Sequence, residues 1–331
     1  VVDGTENTLT DSEANDPDNA ADNENAEKAV VKCKDGSQVV LCGGGALTVN
    51  ALGKNGIKSG TALDDRDASL TIRELTLNIE ALVNDAINAE QRLKVESGKL
   101  TIAAGEDAIH CDMELNIGAE GTTGPAITIS TCCEGLEGAV LNIHSGNMDI
   151  TSTDDCLNAA NSDLGDYAFE MNISGGTIKA YSSGGDGFDS NGTLTITGGD
   201  ISVWTANAAD NQPLDADGRI TISGGTVLAA GGSAGMGFSI SASQPYVTFG
   251  GGRDSSLSLD GGEAFSIADE SGKSVLDSTA LCDAAFLFYS SPALTAEGRY
   301  SVQSTVTATA KTGEADTQFG GNGGPGGSGG Q

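Results

Sequence analysis

One phrase keeps returning through the chain: a turn, an acidic or amide residue, a small residue, an apolar residue and another polar group. Two short strand-like runs, split by Ser-Gly or Gly-Gly, follow it. Aligned on the apolar residue, the copies are NGIK, NDAIN, EDAIH, CEGLE, DDCLN, GDGFD and NQPLD, centred on Ile57, Ile87, Ile109, Leu136, Leu157, Phe188 and Leu214. Neighbouring centres lie between 157−136=21 and 188−157=31 residues apart, with no helical period between them. Strand-bearing repeats of this length signal a solenoid, because one unit cannot bury its apolar face alone.

The strand phase can be read residue by residue. In the first run of each repeat the inward pairs are Leu93 and Val95, Leu115 and Ile117, Leu141 and Ile143, Met171 and Ile173, Leu194 and Ile196, Ile220 and Ile222. In the second they are Leu100 and Ile102, Ile127 and Ile129, Met148 and Ile150, Ile178 and Ala180, Ile201 and Val203, Val227 and Ala229. Side chains alternate faces along a strand, so these pairs point inward and the intervening Thr, Asn, Lys, Ser and Asp point out. The expected fold is all-β, a right-handed parallel β-helix of about 8–10 coils stacked about 4.8 Å apart. Glycine pairs such as Gly198-Gly199 allow the corner before the second run. With 4% aromatic residues a conventional large-residue core is ruled out, whereas a narrow bore filled by Val, Ile, Leu and Ala is not.

The expected organisation is an acidic segment or loop at 1–30, the β-helix at 31–250, a C-terminal β region or cap at 251–312 and a Gly-rich flexible tail at 313–331. VVDGTENTLTD at 1–11 reads as a strand end and turn, as though the chain starts inside a coil. Cys156 stands where other repeats carry Gly or Ala and is expected to be a small buried residue. The formal net charge is −31, which makes nucleic acid and anionic membrane surfaces poor partners and divalent cations good ones. No run is apolar enough for membrane insertion.

Stacking the turns aligns the acids. Two residues before the apolar centre stand Asn55, Asp85, Asp107, Glu134, Asp155, Asp186 and Gln212; one residue after it stand Lys58, Asn88, His110, Glu137, Asn158, Asp189 and Asp215. Asp112, Asp154 and Asp217 flank these columns. Two carboxylates about 5 Å apart repel by about 3 kcal/mol at an effective dielectric near 20. Raised pKa values, outward solvation or bound cations relieve that cost. Oxygen donors from adjacent turns suit Ca2+, and the lack of clustered His and Cys disfavours softer metals. The expected metal ligands are therefore Asp85, Asn88, Asp107, Glu134, Glu137, Asp154, Asp155, Asn158, Asp186, Asp189, Asp215 and Asp217, with His110 a bystander. Solvated turn acids are the plainer alternative, because Asp and Asn favour turns.

Tyr181 and Trp204 fall outward in one column, a coil apart, with Lys179 beside them. Open to solvent, they would make an aromatic strip for a sugar ring; loops at 160–167 or 205–211 would otherwise cover them.

GTENTLTD at 4–11, the phrases NDAINAE, EDAIHCD, DDCLNAA and GDGFDSNG, and the recurring ISGGTI-like strand pairs resemble the bacterial carbohydrate-binding domain-containing family of secreted right-handed β-helix proteins, over roughly residues 3–250. That family is similar in fold to pectate-lyase-type polysaccharide lyases. The resemblance implies calcium held by turn carboxylates, here Asp107, Glu134, Asp155, Asp186 and Asp189, and adhesion to plant polysaccharides such as pectin and cellulose.

The leading expectation is a secreted or cell-surface, calcium-binding, non-catalytic polysaccharide binder. The alternative is an enzyme: a calcium-dependent polysaccharide lyase, which needs a Lys or Arg base beside the metal, or a glycoside hydrolase, which needs an acid pair in a groove, and the acid ladders offer many such pairs. Lys179 and Arg219, the basic residues nearest the later acidic turns, sit in neither acid column. A third expectation is a structural filament subunit, self-associating end to end through unpaired terminal strands.

Overall fold

The computed structural model describes residues 1–15, 27–165, 167–206, 211–231, 239–251 and 257–316. Strands account for its regular structure apart from a single 3-10 turn, Glu13–Asn15, and they form a parallel β-solenoid of about 8 turns.

The solenoid has three faces. The turn phrases build one, through strands such as Asn55–Lys58, Ile87–Ala89, Leu157–Ala159 and Phe188–Ser190. The first run of each repeat builds the next, from Gln38–Cys42 through Arg92–Val95 to Ile220–Ile222 and the start of Ser239–Gly250. The second run builds the last, from Glu6–Thr10 and Ala46–Asn50 through Gly98–Ala104 to Asp200–Thr205 and Thr226–Gly231. The long strands Ile109–Ile117 and Leu136–Ile143 bend from the first face into the second.

Like residues stack in register: Leu100 on Ile127, Ile127 on Met148, Met148 on Ile178, Ile178 on Ile201 and Ile201 on Val227. Every inward pair expected from the alternation is buried. Each fully buried aliphatic side chain contributes about 1.5–3 kcal/mol relative to exposure, so the bore is the main source of stability. Cys156 is buried as expected, and no disulfide joins any of the seven cysteines.

At the corner before the second run, Gly146, Gly176, Gly199 and Gly225 take φ of 129°, 92°, 99° and 78°. That left-handed region is unstrained only for glycine. The coils also leave no space there: a Cβ on Gly199 would lie 3.1 Å from the Gly176 carbonyl oxygen.

The N-terminal strand Glu6–Thr10 lies on Ala46–Asn50 as the edge of the third face. At the other end the stacking stops. Phe286–Ser290 inserts antiparallel between Thr226–Gly231 and the second half of Ser239–Gly250, and Lys311–Asp316 runs antiparallel along the first half. Phe286 and Phe288 turn into the bore while Leu287 and Tyr289 turn away from it. A separate antiparallel sheet, Ser274–Thr279, Ala264–Asp269, Arg299–Val302 and Val306–Thr309, packs on that far side. The rest of the Gly-rich tail, 317–331, and most of the acidic run, 16–26, lie outside the described residues.

Gly199→Ala is expected to cost about 1–2 kcal/mol, the penalty of a Cβ in the left-handed region, with the parallel-β circular dichroism retained; chemical denaturation measures it.

Candidate cation and carbohydrate site

The turn face is narrow. In each turn the apolar centre points into the bore, and its neighbours two before and one after stack coil on coil, half-buried or, at Asn55, Asp85, Asn158 and Gln212, buried. Asn88 pairs with His110, His110 with Glu137, Glu137 with Asn158 and Asn158 with Asp189. Phe188 and Leu214 are bridged, which brings Asp215 over Asp189.

The column two before the centre has a structural task. The Asp107 N–H donates to Asp85 Oδ1 (3.3 Å), the Asp186 N–H to Asp155 Oδ1 (2.6 Å), and the Gln212 N–H to Asp186 Oδ1. Each such acid thus accepts a bond from the next turn's backbone, whose N–H has no ladder partner there. The aspartates are ties between coils as well as charges.

Charge along the face is not handled uniformly. In the N-terminal coils Lys58 Nζ lies 2.6 Å from Asn88 Oδ1 and 2.5 Å from Glu90, and Asn88 Nδ2 donates to Asp85 Oδ2 at 2.7 Å. Asp85 and Asn88 are therefore drawn into a network built on Lys58. In the next coil His110, expected to stand aside, is the hub: Nδ1 lies 3.2 Å from Asp107 and against Glu137, and Nε2 lies 2.9 Å from Asp112. Burial disfavours its charge, yet bonds to Asp107, Asp112 and Glu137 outweigh that and hold the imidazole far above its ordinary pKa. The spacing Asp-x-x-His-x-Asp at 107–112 was the sequence signal for this hub.

Beyond it, no basic side chain among the described residues enters the columns. Asn158 Nδ2 donates to Glu134 Oε2 at 3.0 Å. Burial, then the neighbouring Glu137, pushes the Glu134 carboxyl up to about 8. Burial is also the largest cause for Asp155 and Asp186, each pushed up to about 7, and for Asp189, pushed up to about 6, with the surrounding aspartates adding to it. Asp215 is raised by burial and by Asp217.

Carboxylate oxygens of Asp186, Asp189 and Asp215 lie within 4.8 Å of one another. Two orphaned atoms lie in the same columns. Asn158 Oδ1, in the residue paired with Asp189, and Gln212 Oε1, in the residue bonded to Asp186, are buried without a hydrogen-bond partner. Buried polar atoms are nearly always satisfied. Hard oxygen donors from carboxylates and amides on adjacent turns are the set that Ca2+ takes, so these residues fit that ion. Of the other expected ligands, Asp107 and Glu137 meet at His110, Glu134 is paired to Asn158, and Asp154 and Asp217 are exposed at the rim.

The aromatic strip requires a correction. Tyr181 and Trp204 do stack in register, but Trp204 is 0% exposed. It belongs to a second core with Leu228, Phe265 and Tyr300, its ring 6.0 Å from Phe265 in an edge-on contact. Tyr181 is half-buried at the margin of that core. The cover is the C-terminal sheet, not a loop. Lys179 stays exposed on this face, 3.8 Å from Asp149.

Trp204→Ala should lower the unfolding free energy by about 3–5 kcal/mol, as for other buried aromatics, and leave carbohydrate retention by the folded protein unchanged. The raised carboxyls give a second expectation. In the folded state they hold protons that the unfolded chain, with carboxyl pKa values near 4, has already released, so stability in chelator falls as pH rises from about 5 to about 8. His110 acts in the same sense: its contribution is complete below about 6.5 and is lost only as pH climbs toward its raised pKa. Melting in chelator across that range tests it; a melting temperature that rises with pH would contradict it.

No curated protein and no solved structure matches the chain. A family model described as "Carbohydrate-binding domain-containing protein" matches residues 1–235, which take in the whole turn face with its acid columns. The chain therefore belongs to the carbohydrate-binding domain-containing protein family.

Proposed function

We propose that the turn face binds an acidic, pectin-type polysaccharide through calcium held by Asp186, Asp189 and Asp215. The observation that carries this reading is the coincidence of that all-oxygen cluster with the two orphaned amide oxygens, Asn158 Oδ1 and Gln212 Oε1. An ion there would neutralise three carboxylates whose oxygens lie within 4.8 Å of one another and which, when ionised, repel by about 3 kcal/mol per pair at an effective dielectric near 20.

The family contributes the carbohydrate and the site contributes its sign. A face this acidic repels a uronate polymer unless a cation stands between them. Calcium with vacant coordination positions can bridge protein and sugar carboxylates, because it accepts 6–8 oxygens in loose geometry. A neutral glucan such as cellulose gains nothing from that bridge. Calcium sites of modest affinity work where the ion is plentiful, so this reading places the chain outside the cell. Buried Trp204 plays no part in sugar contact.

Affinity electrophoresis through gels containing polygalacturonate or soluble cellulose derivatives tests the proposal. Expected is retardation by polygalacturonate with calcium, lost in chelator and reduced at least about tenfold by Asp189→Asn with Asp215→Asn. The stabilisation given by calcium should also grow from about pH 5 to about pH 8, because protons compete for the same oxygens. Equal retardation with and without calcium would sink the bridging role, and retention on cellulose alone would sink the acidic specificity.

A further inference from the structure

Among the described residues, two clusters of metal-ligand type lie on the turn face, and they occupy the same three places in the repeat. Asp186 stands two before its apolar centre, Asp189 one after it, and Asp215 one after the next centre. Asp107, His110 and Glu137 stand in those same places around Ile109 and Leu136. The scaffold is shared as well, since in both the residue one after the centre is stacked by the parallel pairing of consecutive turns. The one change of charge type is His110 where the later coil carries Asp189.

The protonation of His110 follows from its neighbours. Nδ1 faces Asp107 Oδ2 and Glu137 Oε2, and Nε2 faces Asp112 Oδ1. Ionised carboxylates accept and do not donate, and a neutral imidazole has a single N–H. With ionised acceptors against both nitrogens, each nitrogen would carry a hydrogen, and the ring would be an imidazolium. Around it stand Asn88 from the preceding coil, Glu137 from the following one, and Asp107 and Asp112 from its own coil; among the described residues Lys58, two coils back, is the nearest column cation and is taken up by Asn88 and Glu90.

We infer that His110 is a built-in cation, occupying in its coil the position that a metal ion would take in the coil of Asp186, Asp189 and Asp215, so that the Asp107–Glu137 coil takes no metal. The acidic edge then has two parts: one neutralised by Lys58 and His110 from within the chain, and one that depends on an ion from solution. The inference explains why a histidine can sit among the acids and amides that follow Lys58 in this column without disturbing it. It also limits the number of ions, since calcium assigned to every acidic coil would count this one wrongly. The inference rests on the calcium reading only for the second part of the edge.

Reciprocal variants separate the possibilities. Calcium bound per chain is counted by titration calorimetry for the wild type, His110→Asp, and His110→Asp with Glu137→Gln. His110→Asp restores the acidic triad and should bind one more ion than the wild type, an increment that the added Glu137→Gln removes. Asp189→His should bind one fewer and should melt higher than the wild type in chelator. Glu137→Gln alone should leave the wild-type count unchanged; a drop of one ion would overturn the inference. So would a folded His110→Asp variant with no added ion. Should His110→Asp fail to fold, nitrogen-15 spectra of the wild type decide. The chain has two histidines, and His144→Gln leaves one signal to read at about pH 8. Two protonated ring nitrogens support the built-in cation, and a neutral tautomer rejects it. If the wild type binds no calcium at all, the calcium reading fails while the spectrum still decides the role of His110.

Discussion

Parallel strands in register, with one coil set about 4.8 Å above the next, impose one condition on the whole molecule: whatever a position carries is repeated against itself. Apolar residues profit from that condition. Leu100, Ile127, Met148, Ile178, Ile201 and Val227 form a continuous file through the bore, and no side chain much larger than Phe188 is needed to fill it. Backbone corners obey the same rule, so Gly146, Gly176, Gly199 and Gly225 recur where the chain must enter the left-handed region.

For charged groups the condition is a cost, and three devices answer it on one face. In the column two before the apolar centre, Asp85, Asp155 and Asp186 lend carboxylate oxygens to the N–H of the next turn. The early coils supply cations of their own in Lys58 and His110. The later coils carry the ties but, among the described residues, no cation of their own, and there burial and mutual repulsion lift Asp155 and Asp186 to about 7. Groups with perturbed titration, convergent oxygens and orphaned amides in one place mark a functional candidate, and it is this late segment that unites all three.

Stacking must also end. Phe286–Ser290 and Lys311–Asp316 cover Thr226–Gly231 and Ser239–Gly250 by pairing antiparallel with them. Closure has a side effect on the third face. The sheet that follows Phe265 lies over Trp204 and turns an outward aromatic into core.

The solenoid, its inward pairs, its glycine corners and the phase of both acid columns were legible in the sequence, because each depends on a residue's place within its own repeat and on a neighbour one repeat away. Two features were not. Alternation placed Trp204 on the outside of the coil, correctly, but whether the outside is solvent depends on Phe265 and the sheet it belongs to, which share no repeat with it. The spacing of Asp107, His110 and Asp112 was visible, yet the convergence of Glu137 on the same imidazole required the register of the coils. Periodicity determines what stacks on itself; only the tertiary structure decides what a non-repeating segment covers and which charges of adjacent coils come within bonding distance.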